Sequence, residues 1–364
     1  MATEPYPFVK NTWYVAALDR EVPDGEKLAR TLLEQPVVIF RGESGQYVAL
    51  DDRCCHRGAP LSLGRIEGDC LRCMYHGMKY DASGRCIEIP GQDLISDLHR
   101  VHSYPIEERG GLLWIWMGDP ALADPALIHD FPYLSDPDWE GLPEKAYLHY
   151  DANWLLIVDN LADFSHLAFV HTNTLGGSED YAFSTEQEVD RLDDGFFFVR
   201  WHKESAPPPY HKRVYPEGPE ILDRRNQVQM RIPGIFFMET TFAPVGWDPD
   251  SGDMEGVKQY KNCQYMTPET RNTSHFFWDY LRNYKQDDAS ISLSLRDSLL
   301  EGFMEDKIFI EEQQKYLELP QPFQPRGLVA DKAFSHFRKV WQKTLEREAN
   351  DHPAEVIEIR NAIL

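Results

Sequence analysis

The stretch from Cys54 to Gly77 constrains this chain more than any other. It reads CCHRGAPLSLGRIEGDCLRCMYHG and holds two Cys/His pairs, Cys54-x-His56 and Cys73-x-x-His76, with sixteen residues between them. Two thiolates and two imidazoles can hold one metal ion or one small cluster, so the fold must bring two loop tips face to face. Zinc is one reading, because Cys2His2 sets bind tetrahedral zinc and Cys70-x-x-Cys73 is itself a zinc-ribbon spacing.

Against zinc stands the makeup of each half. A zinc knuckle usually supplies two like ligands, whereas here each half supplies one thiolate and one imidazole. A Rieske [2Fe-2S] centre uses that mixture, with two cysteines on one iron and two histidines on the other. Gly58, Pro60 and Gly77 supply tight turns in which backbone N–H groups can approach bridging sulfides.

At these residues the chain resembles the Rieske domain of ring-hydroxylating and dealkylating non-haem iron oxygenases. Those proteins often have proline where this chain has Cys55 and Met74. The four ligand positions are unchanged, and Cys55 is a spare thiol, either inert packing or an oxidation liability. Respiratory Rieske proteins carry a disulfide between the two loops; the matching positions here are Ala59 and Tyr75, which favours the oxygenase type.

A chain of 364 residues, 42% hydrophobic and with nine Trp, can bury two cores. Its 60 acidic against 37 basic residues give a formal charge of −23, which argues against a nucleic-acid partner. Six cysteines, four of them crowded between residues 54 and 73, suggest metal in a reducing compartment rather than a disulfide scaffold. No signal peptide is readable and no run of eighteen apolar residues occurs, so a soluble cytoplasmic protein without a membrane partner is expected.

The fold class expected is α+β: an N-terminal all-β domain (1–120), a Pro/Asp-rich linker (121–145), and a C-terminal domain (146–364) of mixed sheet with helices. Short strands read at Val37–Phe40, Tyr47–Leu50, Met78–Tyr80 and Gly111–Met117. Later strands read at Phe196–Trp201, Gln227–Ile232, Ile235–Phe242 and Thr273–Tyr280, and helical spacing at Ser292–Leu317 and Asp331–Asn350.

A second constellation is Asn160-x-x-Asp163-x-x-His166-x4-His171. Asp163 and His166 would share a helix face. His171 lies five further on, about 140° round an ideal helix, so the imidazoles converge only where the helix ends or bulges. A one-electron cluster needs a partner redox centre, and two histidines with one carboxylate make the facial triad of a non-haem Fe(II) oxygenase. The segment is similar to the corresponding motif of the Rieske oxygenase α subunits, in the right order after the cluster motif.

That resemblance implies further roles. Phe303-Met304-Glu305-Asp306-Lys307 resembles the segment whose Asp binds iron in the monooxygenase and O-demethylase branch, which gives Asp306 as third ligand with Glu305 as the rival. Asp163 would link His166 to His76 of a neighbouring subunit, implying a homotrimer, and Asn160 would sit near the iron or simply cap a helix. The resemblance spans nearly the whole chain, including Phe8–Ala17 and Trp114-Ile115-Trp116, and is closest to the dicamba and vanillate O-demethylase branch. It implies O2-dependent O- or N-dealkylation of a small substituted aromatic. Aromatic ring cis-dihydroxylation is the alternative, and an electron-transfer protein or zinc module a second one. No G-x-G-x-x-G fingerprint occurs, so electrons from NAD(P)H must come through a separate reductase or ferredoxin. Candidate pocket residues are Ile235-Phe236-Phe237-Met238 and Phe276-Phe277-Trp278, with His275 and Asn283 available to a polar substituent.

Overall fold

The computed structural model describes residues 8–179, 187–321 and 323–351, with no description of the Asp351 side chain. The chain divides into two compact units, residues 6–130 with 267–271, and residues 1–5, 131–266 and 272–364.

The first unit is built from short strands: β1 (Trp13–Leu18), β2 (Lys27–Leu32), β3 (Gln35–Arg41), β4 (Tyr47–Asp51), β5 (Arg65–Glu67), β6 (Cys70–Arg72), β7 (Lys79–Tyr80), β8 (Cys86–Glu88), β9 (Ser103–Tyr104), β10 (Ile106–Arg109) and β11 (Leu112–Trp116). They form three sheets, in the orders β1-β11-β10, β2-β3-β4-β9 and β5-β6-β7-β8. One core gathers Tyr14, Val37, Ile39, Leu113 and Ile115; a second gathers Val38, Phe40, Leu50, Leu71 and Tyr80 with Cys54 and Cys73. Strand β3 feeds both, because its successive side chains point to opposite faces. The cysteines thereby sit on the floor of the small β5–β8 sheet.

The second unit contains one seven-stranded sheet: β12 (Ala146–Tyr150), β13 (Gln187–Leu192), β14 (Gly195–Ser205), β15 (Leu222–Arg231), β16 (Ile235–Ala243), β17 (Lys258–Pro268) and β18 (Ser274–Arg282), in the order β12-β18-β17-β16-β15-β14-β13. The pairings β12–β18, β13–β14, β14–β15, β15–β16 and β16–β17 all run antiparallel, where a mixed sheet was expected. From β13 to β17 successive strands are neighbours, which short connections favour, while β12 joins the far edge beside β18.

Among the described residues the α-helices are α1 (Trp154–Ala162), α2 (Leu167–Val170), α3 (Pro209–Val214), α4 (Ala289–Leu317) and α5 (Lys332–Asp351). Helix α1 starts where the Asn153 side chain accepts from the Leu155 N–H, an N-cap. It packs through Trp154 edge-on to Phe337 and Trp341 of α5. Residues 131–139, read as linker from sequence, lie on the other face of the sheet: Phe131 stacks on Phe237 with ring centroids 4.7 Å apart, and the Lys261 ammonium sits 4.3 Å from the Tyr133 ring centroid. No described helix is long and apolar enough to cross a membrane.

Candidate active site

In the first unit the two Cys/His loops are near copies. Gly58 N–H donates to the Cys54 carbonyl at 2.8 Å, and Gly77 N–H to the Cys73 carbonyl at 3.0 Å. Both glycines take left-handed φ, +68° and +80°, which a side chain would strain. Cys54 and Cys73 are 3% and 1% exposed, while His56 and His76 are exposed at the tips. The imidazole ring centroids are 4.6 Å apart. Two sulfurs inside and two nitrogens outside suit a two-iron cluster with one iron below the other. A single tetrahedral ion would need all four ligand atoms drawn tightly round one point. Among the described residues, the only three such ligand atoms within 4.8 Å of one another are those of His166, His171 and Asp306. The Tyr80 hydroxyl lies 3.1 Å from Cys54 Sγ and 3.2 Å from Cys55 Sγ, tying the spare thiol to the floor of the loop.

In the second unit α1 ends at Asp163, whose backbone is extended at φ −134° and ψ 106°. A 3-10 turn, Phe164–His166, and the four residues of α2 follow, and His171 leaves the helix at φ −111° and ψ 36°. The break lets two imidazoles five residues apart converge, with ring centroids 5.3 Å apart. Helix α4 brings Asp306 to them: its Oδ1 lies 3.0 Å from His171 Nε2 and 3.4 Å from His166 Nε2.

Surrounding groups fix these three. Asn160 Nδ2 donates to Asp306 Oδ1 at 3.0 Å and lies 3.4 Å from His166 Nε2. The Asp163 backbone carbonyl, 2.6 Å from His166 Nδ1, holds that ring; the Asp163 carboxylate instead accepts from Ser165 N–H and hydroxyl, both at 2.8 Å. Asp163 is thus an N-cap with extended backbone, not a residue sharing a helix face with His166. Glu305 lies beside the triad, its Oε2 2.7 Å from His171 Nδ1 and accepting from the Thr174 hydroxyl at 2.6 Å. Since Nδ1 donates to Glu305, Nε2 is free to ligate, and an oxygen bonded this way makes Glu305 a support for His171.

The electrostatics agree. Burial would raise the Asp306 carboxyl, but the hydrogen bonds and charges of His166 and His171 hold it down to about 2, so it is an anion ready to ligate. Burial opposes a charged His171, yet Asp306 and Glu305 outweigh it and raise the imidazole above its ordinary value. Two imidazoles and one carboxylate around one point, half-open to a cavity, fit an octahedral Fe(II) with positions left over.

That cavity holds about 590 Å³ of empty space, counting its opening. The triad edge, Phe164, Leu167, Leu299 and Phe303 line one side, and the inward face of β15, β16 and β17 lines the other. Of the apolar candidates read from sequence, Phe236 and Met238 line it, whereas Ile235, Phe237, Phe276, Phe277 and Trp278 do not. Phe237 points to the opposite face and stacks on Phe131. His275 and Asn283 do not reach it either: His275 Nδ1 pairs with the Tyr147 hydroxyl at 2.9 Å, and Asn283 Oδ1 accepts from Gln259 N–H. The polar cavity residues that sequence reading passed over include Arg224, Asn226, Thr240, Asn262 and Gln264. Their signal was the period-2 alternation of β15 and β17, in which polar residues occupy the buried face.

Comparison with known proteins agrees with this arrangement. Residues 12–105 match the Rieske [2Fe-2S] domain, and residues 150–347 match the vanillate O-demethylase oxygenase C-terminal domain. The iron-sulfur subunit of a toluene-4-sulfonate monooxygenase system from Comamonas testosteroni is 40% identical, over 94% of this chain and 98% of that protein. The oxygenase component of dicamba O-demethylase from Stenotrophomonas maltophilia is 32% identical, over 94% and 99%. Among solved structures, dicamba monooxygenase bound to 3,6-dichlorosalicylic acid superposes with a TM-score of 0.86 at 31% identity, covering 94% of this chain and 99% of that one. The chain belongs to the Rieske non-haem iron oxygenases, in the branch that includes the vanillate and dicamba O-demethylase oxygenase components.

Proposed function

We propose that this chain is the terminal oxygenase of a multicomponent monooxygenase that dealkylates a substituted aromatic at oxygen or nitrogen. The observation that carries this reading is the His166/His171/Asp306 set at the edge of a largely apolar cavity. For an aryl methyl ether, one O2, two electrons and two protons convert the methyl group to a hemiacetal with release of water. The hemiacetal then collapses to a phenol and formaldehyde. When bound, the mononuclear iron supplies oxygen activation and the cluster supplies the electrons singly.

The protein's part is placement. His166, His171 and Asp306 would hold the iron on one side, leaving the cavity side for oxygen and substrate. Asn160 holds the Asp306 carboxylate, and Glu305 holds His171 in its ligating tautomer. Cys54, Cys73, His56 and His76 would hold the cluster. Phe164 and Phe303 seat the ring and keep water from the hemiacetal's precursor.

In the same reading the Asp163 segment carries electrons to His166 from a cluster in a neighbouring subunit, within a cytoplasmic homotrimer served by a separate reductase or ferredoxin. The Asp163 carbonyl against His166 Nδ1 supports the inner half of that route. The relatives' names speak for dealkylation and monooxygenation, not for ring dihydroxylation.

The test is metal analysis followed by turnover. Anaerobically purified protein should carry about three irons and about two acid-labile sulfides per chain. With a reductase and NADH it should release aldehyde from methoxylated or N-alkylated aromatics. His166→Ala should keep the cluster's visible spectrum and lose turnover; unchanged turnover would sink the assignment. Zinc without sulfide would sink the whole reading.

A further inference from the structure

A column of phenols runs from the cavity to the surface, and the dealkylation reading does not use it. Tyr210 on α3 and Tyr280 on β18 line the cavity, and both are buried. Their hydroxyl oxygens lie 3.5 Å apart. Tyr260 on β17 comes next, its ring centroid 6.0 Å from that of Tyr210 and 5.2 Å from that of Tyr280. Tyr284, just past the end of β18, follows at 5.7 Å from Tyr260, and Tyr215, just past α3, at 6.3 Å from Tyr284. Every one of these spacings lies within the range of interacting aromatic pairs. Exposure rises along the column: Tyr260 is fully buried, Tyr284 is 9% exposed, and Tyr215 is half-buried beside the ammonium groups of Lys258 and Lys285. The column thus leads from cavity to solvent through ring contacts alone.

Packing alone does not call for hydroxyls here. Phenylalanine would fill the same volumes, and a buried hydroxyl costs free energy unless it finds a partner. These hydroxyls find one another and one base. Those of Tyr260 and Tyr284 are hydrogen-bonded, and the Tyr260 oxygen lies 2.8 Å from Nδ1 of buried His211. Burial, then the charges of Arg224 and Lys258, push the His211 imidazole down to about 3, so it is neutral and its Nδ1 can take the Tyr260 proton. Burial raises Tyr210, Tyr260 and Tyr280 above the ordinary phenol value, so none of them ionises at neutral pH. Each can give up an electron only as its proton leaves too, and Tyr260 has a base in place to receive it. Phenoxyl is among the more stable radicals a side chain can form, so an oxidising equivalent set loose in the cavity settles on a phenol.

We propose that Tyr210, Tyr280, Tyr260, Tyr284 and Tyr215 form a radical-transfer chain that carries oxidising equivalents from the cavity to the surface when oxygen is reduced without substrate. The inference rests on the iron of the proposed function and on nothing about its substrate. In the empty cavity O2, two electrons and two protons give hydrogen peroxide. When bound, the iron supplies the oxidant, since peroxide and Fe(II) yield Fe(III), hydroxide and a hydroxyl radical. The Tyr210 or Tyr280 hydroxyl gives that radical a hydrogen atom, leaving water and a phenoxyl. Each further hop moves one electron toward the cavity. Tyr260 reduces the first ring and lends its proton to His211, Tyr284 reduces Tyr260 as His211 returns that proton, and Tyr215 reduces Tyr284. The first ring regains its proton from cavity water, while Tyr284 and Tyr215 exchange theirs with solvent. A soluble thiol ends the sequence, giving a hydrogen atom to the Tyr215 phenoxyl and leaving as a thiyl radical.

The position of the radical tests it. Iron-replete holoenzyme without substrate receives hydrogen peroxide together with a nitroso spin trap and with mannitol, which scavenges radicals free in solution. Peptide mass spectrometry then maps the trapped positions. Tyr316, 70% exposed on α4, reports radicals that arrive through solvent. Native protein should carry more adduct on Tyr215 than on Tyr316. Tyr260→Phe keeps the ring and removes the phenol, so with native iron content it should lose the Tyr215 adduct and gain oxidised forms of His166, His171 and Phe164. A native protein labelled on Tyr316 as much as on Tyr215, or on neither, would overturn the proposal, and this comparison needs no variant to fold. A folded, iron-replete Tyr260→Phe protein with the native adduct pattern would overturn it too. Adducts are read whether or not a methoxylated aromatic releases aldehyde, so the chain and the dealkylation reading fail separately.

Discussion

Glu305 and Asp306 are adjacent acids on α4, and the proposed function gives them different work that one pair of variants separates. Glu305 Oε2 is 2.7 Å from His171 Nδ1 and takes the Thr174 hydroxyl at 2.6 Å, while Asp306 Oδ1 faces both Nε2 atoms. Removing Glu305 leaves a buried imidazole without its orienting acceptor, although the three ligating atoms remain. A hydrogen bond to a charged group contributes about 1.5–3 kcal/mol, and each 1.4 kcal/mol is about a factor of ten. Glu305→Ala should therefore weaken Fe(II) binding about 10- to 100-fold, the range seen when outer partners of metal-bound histidines are lost. Glu305→Gln, which keeps an oxygen but loses the charge, should fall near the lower end. Asp306→Asn removes a ligand and should abolish stoichiometric iron at this site. The assay is Fe(II) titration against a competing chelator, with the cluster's visible spectrum as the folding control. If Glu305→Gln emptied the site while Asp306→Asn kept it, the two roles would be exchanged. If Glu305→Ala left affinity within about twofold, the support given to His171 would be refuted.

Three further outcomes are expected. A Cβ on Gly176 would meet the Leu167 carbonyl oxygen at 2.0 Å and the His171 carbonyl oxygen at 2.9 Å, so Gly176→Ala must push the His171 loop outward; we expect about 1–3 kcal/mol of lost stability by denaturant titration, together with lower iron retention. Burial, then nearby positive charges, hold the His202 and His211 imidazoles down to about 2 and about 3, while the unfolded chain protonates near 6.5. The folded-state values are depressed, so this stability is complete above pH 6.5 and drains as pH falls toward 3. Each histidine should cost about 1.4 kcal/mol by pH 5.5, and His211→Phe should lower the slope of stability against pH measured by thermal melting. Tyr80→Phe removes the hydroxyl beside Cys54 Sγ; at about 1 kcal/mol for one hydrogen bond, the cluster potential should drop by about 40 mV in a spectroelectrochemical titration.

The segments proposed to hold metal stand out in the sequence because such chemistry fixes both residue type and spacing. Cys54, His56, Cys73 and His76 announce themselves, and so do His166 and His171 once an iron partner is required. The long helix α4 and the strands β16 and β18 were legible from periodicity to within a few residues, and β15 in its second half only. Strand β17 was missed although it is buried along almost its whole length. Its sequence, KQYKNCQYMTP, reads as polar because half of it forms a cavity wall rather than a core. For the same reason Arg224 and Asn226 stayed hidden. A buried polar face looks like a solvent face until the opposite wall is known. Choosing between Glu305 and Asp306 needed the direction of each side chain on α4, which adjacency cannot supply.

The groups proposed to hold the iron come from the broken turn after α1 and from α4, whereas the cavity floor comes from β15 to β17. These two sets of positions can change independently. Asn262 and Arg224 line the cavity without belonging to the His166/His171/Asp306 set. A lineage built this way can alter its diet by single steps while its oxidising apparatus is inherited unchanged.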